Sequence, residues 1–420
     1  MEFAAGLIVA GIVTIILLNW RGGASRVQQR VQHRIDVRDP EFLHEMGVLL
    51  GPPLAGGNRV EHFENGDEIF PAMLAAIRGA RRSVTFETYI YWSGDVGKAF
   101  AEALAERASA GVPVHVMLDW VGSQRMDASL LDLMAEAGVE IERFHPPHWY
   151  TLARMNNRTH RKLLVVDGTV GFTGGVGIAD VWLGHAQDPA HWRDSHYRAT
   201  GPVVAQMQAA FLDNWIEVTG QVLTGPAYLP RISPCDPGIA AQLFKSGPTG
   251  GADSMQLMYL LAIAGARESI DLAAAYFLPD ALTRAVLVDA RGRGIRVRII
   301  VPGRHIDARV VRHASRSDWG ALLEAGIEMH EFEPTRFHCK LLIVDRFLTS
   351  VGSTNFDNRS FRLNDEANLN VYDADFGAEV TRVFEADLKR SRRITLEDWR
   401  RRPWHRRAVE RAAALMQDQL

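Results

Sequence analysis

Two stretches of the chain, NRTHRKLLVVDG at 157–168 and RFHCKLLIVDRF at 336–347, carry the same residues at the same spacing. The first has His160, Lys162 and Asp167, and the second His338, Lys340 and Asp345. In each, histidine and lysine lead into a short apolar run closed by an aspartate, which reads as a buried strand ending in a turn. Side chains alternate along an extended chain, so His160 and Lys162 share one face, and the aspartate, an odd number of positions away, points to the other. One such stretch alone is as well explained by a satisfied core histidine beside a solvent-directed lysine. Two at matched spacing favour a paired chemical site. An imidazole can attack a phosphodiester phosphorus and form a covalent phosphohistidine, and a second, protonated imidazole can give its proton to the departing alkoxide. Two lysines then bind the nonbridging phosphate oxygens and stabilise transition-state charge. No cluster of His, Cys and Asp has metal-ligand spacing, so neither metal nor cofactor is expected.

The elements around the two motifs repeat as well. ARRSVTFETYIY (80–91) answers ARESIDLAAAYF (266–277), AGVEIERF (137–144) answers AGIEMHEF (325–332), and GFTGGVGIAD (171–180) parallels TSVGSTNFDN (349–358). A helix-then-strand order thus occurs twice, as expected of two α/β units with a shared site where they meet. Length agrees: 420 residues, 47% of them hydrophobic and 23% charged, suffice for two soluble cores. A formal charge of −3 argues against a nucleic-acid-coating protein and leaves room for a local basic groove. The two cysteines, Cys235 and Cys339, offer no disulfide framework, and Cys339, alternating with His338 and Lys340, is expected to face away as a small buried residue.

The sequence divides into an anchor at 1–22, a first unit at 58–222, a linker at 223–254, a second unit at 255–395 and a tail at 396–420. Residues 3–20, FAAGLIVAGIVTIILLNW, are uncharged and close to the shortest membrane span, without a basic n-region or small-residue cleavage site. Arg21, Arg26, Arg30, Arg34 and Arg38 follow, so the positive-inside rule puts the catalytic body in the cytoplasm. Pro and Gly at 224–238 and 246–254 place the boundary between units there, with AAQLF between them open to a helical reading. The tail, WRRRPWHRRAVERAAAL (399–415), reads either as a solvated helix or as a surface resting on anionic headgroups with Trp399 and Trp404 at the interface. The interval from Phe144 to His160 is ten residues longer than that from Phe332 to His338. Its Trp149, Tyr150, Leu152 and Met155 suit either a loop packed on its own unit or an apolar lip at the site entrance.

The pattern His-x-Lys-x4-Asp-x6-Gly-Ser-x-Asn, complete as His338, Lys340, Asp345, Gly352, Ser353 and Asn355, resembles the phospholipase D superfamily. His160, Lys162, Asp167 and Gly174 supply the other copy, and the likeness covers roughly residues 60 to 395. It implies two pseudo-symmetric domains, each a β-sheet flanked by helices, with the active site at their interface, a histidine intermediate, and His160, Lys162, Asp167, His338, Lys340 and Asp345 as the catalytic residues, although the odd spacing of the aspartates suits turn anchors better. ENGDEIFPAMLAAI (64–77), ETYIYWSGDVGKAFAEAL (87–104) and NFDNRSFRLNDEANL (355–369) look like bacterial cardiolipin synthases. That likeness implies the inner membrane as location, phosphatidylglycerol and membrane lipids as partners, no nucleic acid and no cofactor. It also implies a carboxylate downstream of each motif that orients its imidazole. Asp194 in HWRDSHY is the counterpart for the first copy and Glu366 in LNDEANL for the second. Where the family has Gly-Ser or Gly-Gly followed by x-Asn, the first copy has Gly174, Gly175, Val176 and Gly177. Phosphate is thus expected to meet Ser353 and Asn355 on one side and backbone N–H groups of Gly174 and Gly175 on the other.

Three function classes follow: a membrane-bound phosphatidyltransferase making cardiolipin, a phospholipase D-type hydrolase or nuclease using water, and a noncatalytic scaffold. Histidine and lysine in both copies speak against the scaffold. The apolar N-terminus and the lack of net positive charge speak against the nuclease. The first is favoured, and water exclusion separates it from a hydrolase.

Overall fold

The computed structural model describes residues 29, 31, 35–146, 157–247 and 252–415, so the expected anchor at 1–22 and the four side chains of the expected lip lie outside the described residues. Among the described residues no helix is long and apolar enough to cross a membrane.

Seven strands form the first half: β1 (Ala55–Glu64), β2 (Val84–Thr88), β3 (Val114–Asp119), β4 (Glu140–Phe144), β5 (Leu163–Val166), β6 (Val170–Gly174) and β7 (Ser195–Thr200). The second half comprises β8 (Ile239–Ser246), β9 (Ser269–Ala273), β10 (Phe277–Leu278), β11 (Arg296–Pro302), β12 (Glu328–Phe332), β13 (Leu341–Val344), β14 (Leu348–Gly352), β15 (Phe356–Asp357), β16 (Glu366–Tyr372) and β17 (Ser391–Ile394). All but β10 and β15 join one sheet in the order β17-β12-β11-β9-β13-β14-β16-β8-β1-β7-β6-β5-β2-β3-β4. Outward from the β8–β1 junction the two halves repeat the same strand order. In both, the outer pairs, β2–β3–β4 and β9–β11–β12, are parallel and the inner ones antiparallel. The doubled α/β unit expected from the repeats is thus one continuous sheet with a pseudo-twofold at its centre.

The expected linker is corrected at one point. Its AAQLF is neither helix nor loop but the body of β8, which pairs with β16 along its length and with β1 through Ala55 and Asn58. Five residues are too few for periodicity to distinguish strand from helix, and pairing on both edges decided it.

Both faces of the sheet are covered, as continuous apolar runs such as LLVV and LLIV require. Leu164 and Val166 enter a core with helices Asn65–Arg78 and Asp95–Ser109, and Leu342 and Val344 do the same with helices Ala252–Gly265 and Ala281–Gly292. Leu163, Val165, Leu341 and Ile343 point the other way into one core shared by both halves, under helices Val204–Thr219 and Ala374–Lys389. That shared core fixes the two motif strands relative to each other.

Asp167 and Asp345 were grouped with the catalytic side chains, and the structure places them elsewhere. Both sit at the far end of their strand from the histidine, in hairpin turns with positive φ of 55° and 53°. Asp167 accepts from the backbone N–H groups of Arg81, Arg82 and Ser83, and Asp345 from those of Arg267, Glu268 and Ser269. Each carboxylate clamps the β5–β6 or β13–β14 hairpin to the loop entering β2 or β9. Three charge-assisted bonds leave it no part in chemistry at the imidazole.

Candidate active site

The segments just before β5 and β13 meet at the centre of the molecule, and each is stitched to the opposite half. His160 N–H donates to Asp365 O (2.8 Å), and Asp365 N–H donates to Arg158 O (2.8 Å). In the mirrored arrangement His338 N–H donates to Arg193 O (2.8 Å), and Arg193 N–H to Arg336 O (2.8 Å). The residue after each of these bridges is the orienting carboxylate. His160 Nδ1 therefore lies 2.9 and 3.0 Å from the two oxygens of Glu366, and His338 Nδ1 lies 2.7 Å from Asp194 Oδ2.

The structure brings both expected carboxylates to an imidazole, with the expected pairing exchanged. Asp194 orients the histidine of the second motif, and Glu366 that of the first. β7 and β16 flank the junction strands β1 and β8, so a carboxylate at the start of either faces across the pseudo-twofold. Neither is a surface acid beside an arginine, since both are fully buried. With each Nδ1–H directed at a carboxylate, Nε2 is the ring nitrogen left for chemistry, that of His338 lying 3.1 Å from Lys340 Nζ.

Lys162 Nζ donates to His160 O (2.8 Å), and Lys340 Nζ to His338 O (2.7 Å), so each amine is curled over its own histidine. Burial lowers the pKa of His160 to about 4, with Glu366 opposing and Lys162 lowering it further. Burial and Lys340 lower that of His338, with Asp194 opposing. Burial would raise Asp194 and Glu366, but the facing imidazole and lysine outweigh it and both carboxyls stay below their usual range. Lys162 is brought down to about 7 by burial, which Glu366 opposes and Lys340 reinforces.

The two carboxylates are braced differently. Glu366 accepts from Ser353 Oγ (2.5 Å), whereas Asp194 accepts from the indole of Trp182 (3.0 Å) and from Ser195 N–H (2.9 Å). This explains why the two halves differ at Gly175 and Ser353. A Cβ at Gly175 would lie 2.1 Å from Asp194 Oδ1, so the position that holds serine in the second half must stay bare in the first, with the tryptophan replacing the hydroxyl. The expectation that Gly174, Gly175 and Ser353 bind phosphate is corrected. Gly175 N–H is taken by Ser195 O, Gly174 pairs with His196 in the sheet, and the Ser353 hydroxyl serves Glu366.

Asn355 does reach the cavity. A space of about 120 Å³ opens over the imidazoles, lined by His160, Lys162, His338 and Asn355. The Asn355 side-chain oxygen Oδ1 has no hydrogen-bond partner among the described residues. The first half contributes an apolar wall of Ile90, Tyr89 and Trp192, while the second contributes the polar Tyr276, Asp307, Asp357 and Ser360. Gly177, opposite Asn355 in the repeat, leaves the room that Ile90 fills. Arg158 and Arg359 also line the cavity and were missed. Arg158 lies two positions before His160, so the alternation that joined His160 to Lys162 already put it on that face. Cys339 is buried away from the cavity in the shared core, as alternation required.

Comparison with known proteins agrees with this geometry. The family model described as cardiolipin synthase, PLD-like domain, matches residues 73–214 and 259–388, one match on each half. The chain belongs to this family. It is 36% identical to cardiolipin synthase A of Pseudomonas fluorescens over 85% of this chain and 74% of that one. It is also 36% identical to cardiolipin synthase 2 of Bacillus cereus, over 84% and 69%. In fold it resembles the phosphatidylserine synthase of Haemophilus influenzae, with a TM-score of 0.67 at 14% identity over 90% of this chain and all of that one.

The packing at Gly175 yields a direct expectation. Gly175→Ser copies the serine of the second half yet displaces Asp194, and kcat falls about 10²-fold, the scale of a 1 Å misplacement. Gly175→Ala does the same, because the Cβ and not the hydroxyl is at fault. Full activity in the serine variant would show that the loop reshapes to bond Asp194 as Ser353 bonds Glu366.

Proposed function

We propose that the chain transfers a phosphatidyl group between two phosphatidylglycerol molecules, giving cardiolipin and glycerol. The observation that carries this reading is the pair of carboxylate-held imidazoles facing one cavity with Lys162, with Lys340 against His338, in a chain related to cardiolipin synthases over most of its length. His160, neutral at neutral pH and hydrogen-bonded through Nδ1, attacks phosphorus with its Nε2 lone pair. The bond from phosphorus to the glycerol oxygen breaks, and His338, protonated when the substrate anion sits beside it, gives its proton to that oxygen. The same imidazole then takes the proton of the second phosphatidylglycerol's hydroxyl, whose oxygen attacks phosphorus and expels His160. Lys162, Lys340 and Asn355 hold the nonbridging oxygens. The steps exchange one phosphodiester for another and consume no nucleotide. Residues 1–22 anchor the chain in the bacterial inner membrane with the catalytic body on the cytoplasmic side, a reading supported by the uncharged stretch and the arginines after it.

Water in place of the lipid hydroxyl would make the same site a phospholipase D. Incubating detergent-solubilised protein with labelled phosphatidylglycerol and weighing the products separates the two. Cardiolipin with glycerol is expected, and phosphatidic acid alone would assign the hydrolase.

The lysine supplies a pH signature. Lys162 in the free site loses its charge as pH rises through about 7, so binding of the anionic substrate weakens and kcat/KM falls on the alkaline side. A guanidinium stays charged there, so Lys162→Arg moves that limb to higher pH whatever it does to the maximum. An alkaline limb unmoved in this variant would assign it to another group.

A further inference from the structure

Residues 399–411 carry six arginines, Arg400, Arg401, Arg402, Arg406, Arg407 and Arg411, against the single acid Glu410, in a chain whose formal charge is −3. They form the helix Leu396–Arg400 and, after Pro403, the helix Trp404–Ala414. The inward face is fully used. Trp399, which one of the two readings of the tail put at an interface, is packed against Gly320, donates its indole N–H to Arg316 O (2.8 Å) and carries the Arg402 guanidinium 3.9 Å above its ring. Arg402 pairs with Glu410 (2.8 Å), and Ala413 joins Leu278, Val311 and Ala314 in a small apolar cluster.

The outward face is built differently. Trp404, Arg411 and Leu415 fall on one side of the second helix, with Arg407 beside them. Trp404 is 80% and Leu415 83% exposed, so an indole and an isobutyl group stand largely uncovered by the described residues. Beneath, between the two helices, lies a cavity of about 280 Å³ lined by Ser317, Arg400, Arg402, Arg407 and Arg411 together with Trp399 and Glu410. Glu410 is already answered by Arg402 and by Arg316 (3.5 Å), and Arg400 by Glu324 (2.7 Å). Arg407 and Arg411 have no carboxylate partner among the described residues, so the cavity holds surplus positive charge.

We propose that this cavity binds the phosphate of an anionic phospholipid, docking the C-terminal helix on the bilayer with Trp404 and Leu415 in the interfacial layer. Charge selects the ligand: two guanidiniums with no carboxylate partner among the described residues, Arg407 with one N–H on Arg400 O, offer their remaining donors to phosphate oxygens. The flanking tryptophan and leucine select a lipid over a free anion, because only a bilayer covers them. The site is separate from the cavity over His160 and independent of its chemistry. Its placement still matters for access, since Tyr276 packs on the same apolar cluster as Ala413 and donates to Asp307 (2.6 Å) in the wall of the active cavity. A helix docked on lipid holds that wall at the membrane surface.

The test uses the full chain reconstituted in vesicles and a local readout, so that attachment through any other segment does not register. In a Cys235→Ser background, whose remaining Cys339 is buried, Leu415→Cys carries a polarity-sensitive fluorophore. With about one third phosphatidylserine in phosphatidylcholine the emission shifts to the blue and shielding from an aqueous quencher appears. Pure phosphatidylcholine, or inorganic phosphate without anionic lipid, gives neither. Arg407→Gln with Arg411→Gln raises the phosphatidylserine content needed for the half-maximal shift about tenfold or abolishes the shift, while Arg407→Lys with Arg411→Lys retains most of it. A shift on phosphatidylcholine alone, a shift with inorganic phosphate alone, no shift on either vesicle, or a shift unaffected by the glutamine pair would each overturn the proposal.

Discussion

Each imidazole of the site is held by a carboxylate from the opposite half, and the backbone bridge one residue earlier makes that pairing obligatory. Thr159 pairs with Asp365, and Arg193 with Phe337, so His160 arrives beside Glu366 and His338 beside Asp194. Neither half contains a complete histidine–carboxylate unit. Removing one partner of such a buried pair leaves the other's hydrogen-bonding group unsatisfied, at a cost of about 1–3 kcal/mol. The continuous sheet and the core shared beneath Leu163, Val165, Leu341 and Ile343 follow from the same demand. Two loosely tethered domains could not hold 2.7 and 2.9 Å contacts across their boundary.

The twofold is broken where the proposed mechanism asks for two different histidines. Ser353 braces Glu366 with a hydroxyl, while Trp182 braces Asp194 with an indole and Gly175 clears the space. Tyr89 stands edge-on to His160 at 5.1 Å, whereas His338 lies between Trp182 and Trp192 at 5.5 and 5.3 Å. The apolar wall on one side of the cavity and the hydroxyl- and carboxyl-rich wall on the other give a lipid headgroup distinguishable directions of approach. A repeated fold thus supplies proximity, and substitutions at a few paired positions supply the division of labour.

What the sequence revealed follows from where each constraint lies. The histidines and lysines were legible because their chemistry fixes residue type and spacing locally. The odd spacing of Asp167 and Asp345 already pointed them away from the imidazoles, and grouping them with the catalytic residues set that argument aside. Asp194 and Glu366 were legible as residues but not as partners, because crossing is a property of strand order in the assembled sheet. The junction strand β8 was hidden by its shortness, and the reason for Gly175 by its dependence on an indole seven residues on. Arg158 could have been found by the alternation already in use.

The central claim is the crossing, and one measurement addresses it. With a p-nitrophenyl phosphodiester, whose leaving group needs no proton, the covalent intermediate is trapped, its histidine mapped by mass, and its rate of formation compared in Glu366→Gln and Asp194→Asn. The account predicts an adduct on His160 that forms at least about 10²-fold more slowly in Glu366→Gln, the scale of losing an orienting carboxylate, and at close to the parent rate in Asp194→Asn. An adduct on His160 slowed by Asp194→Asn and untouched by Glu366→Gln would contradict it.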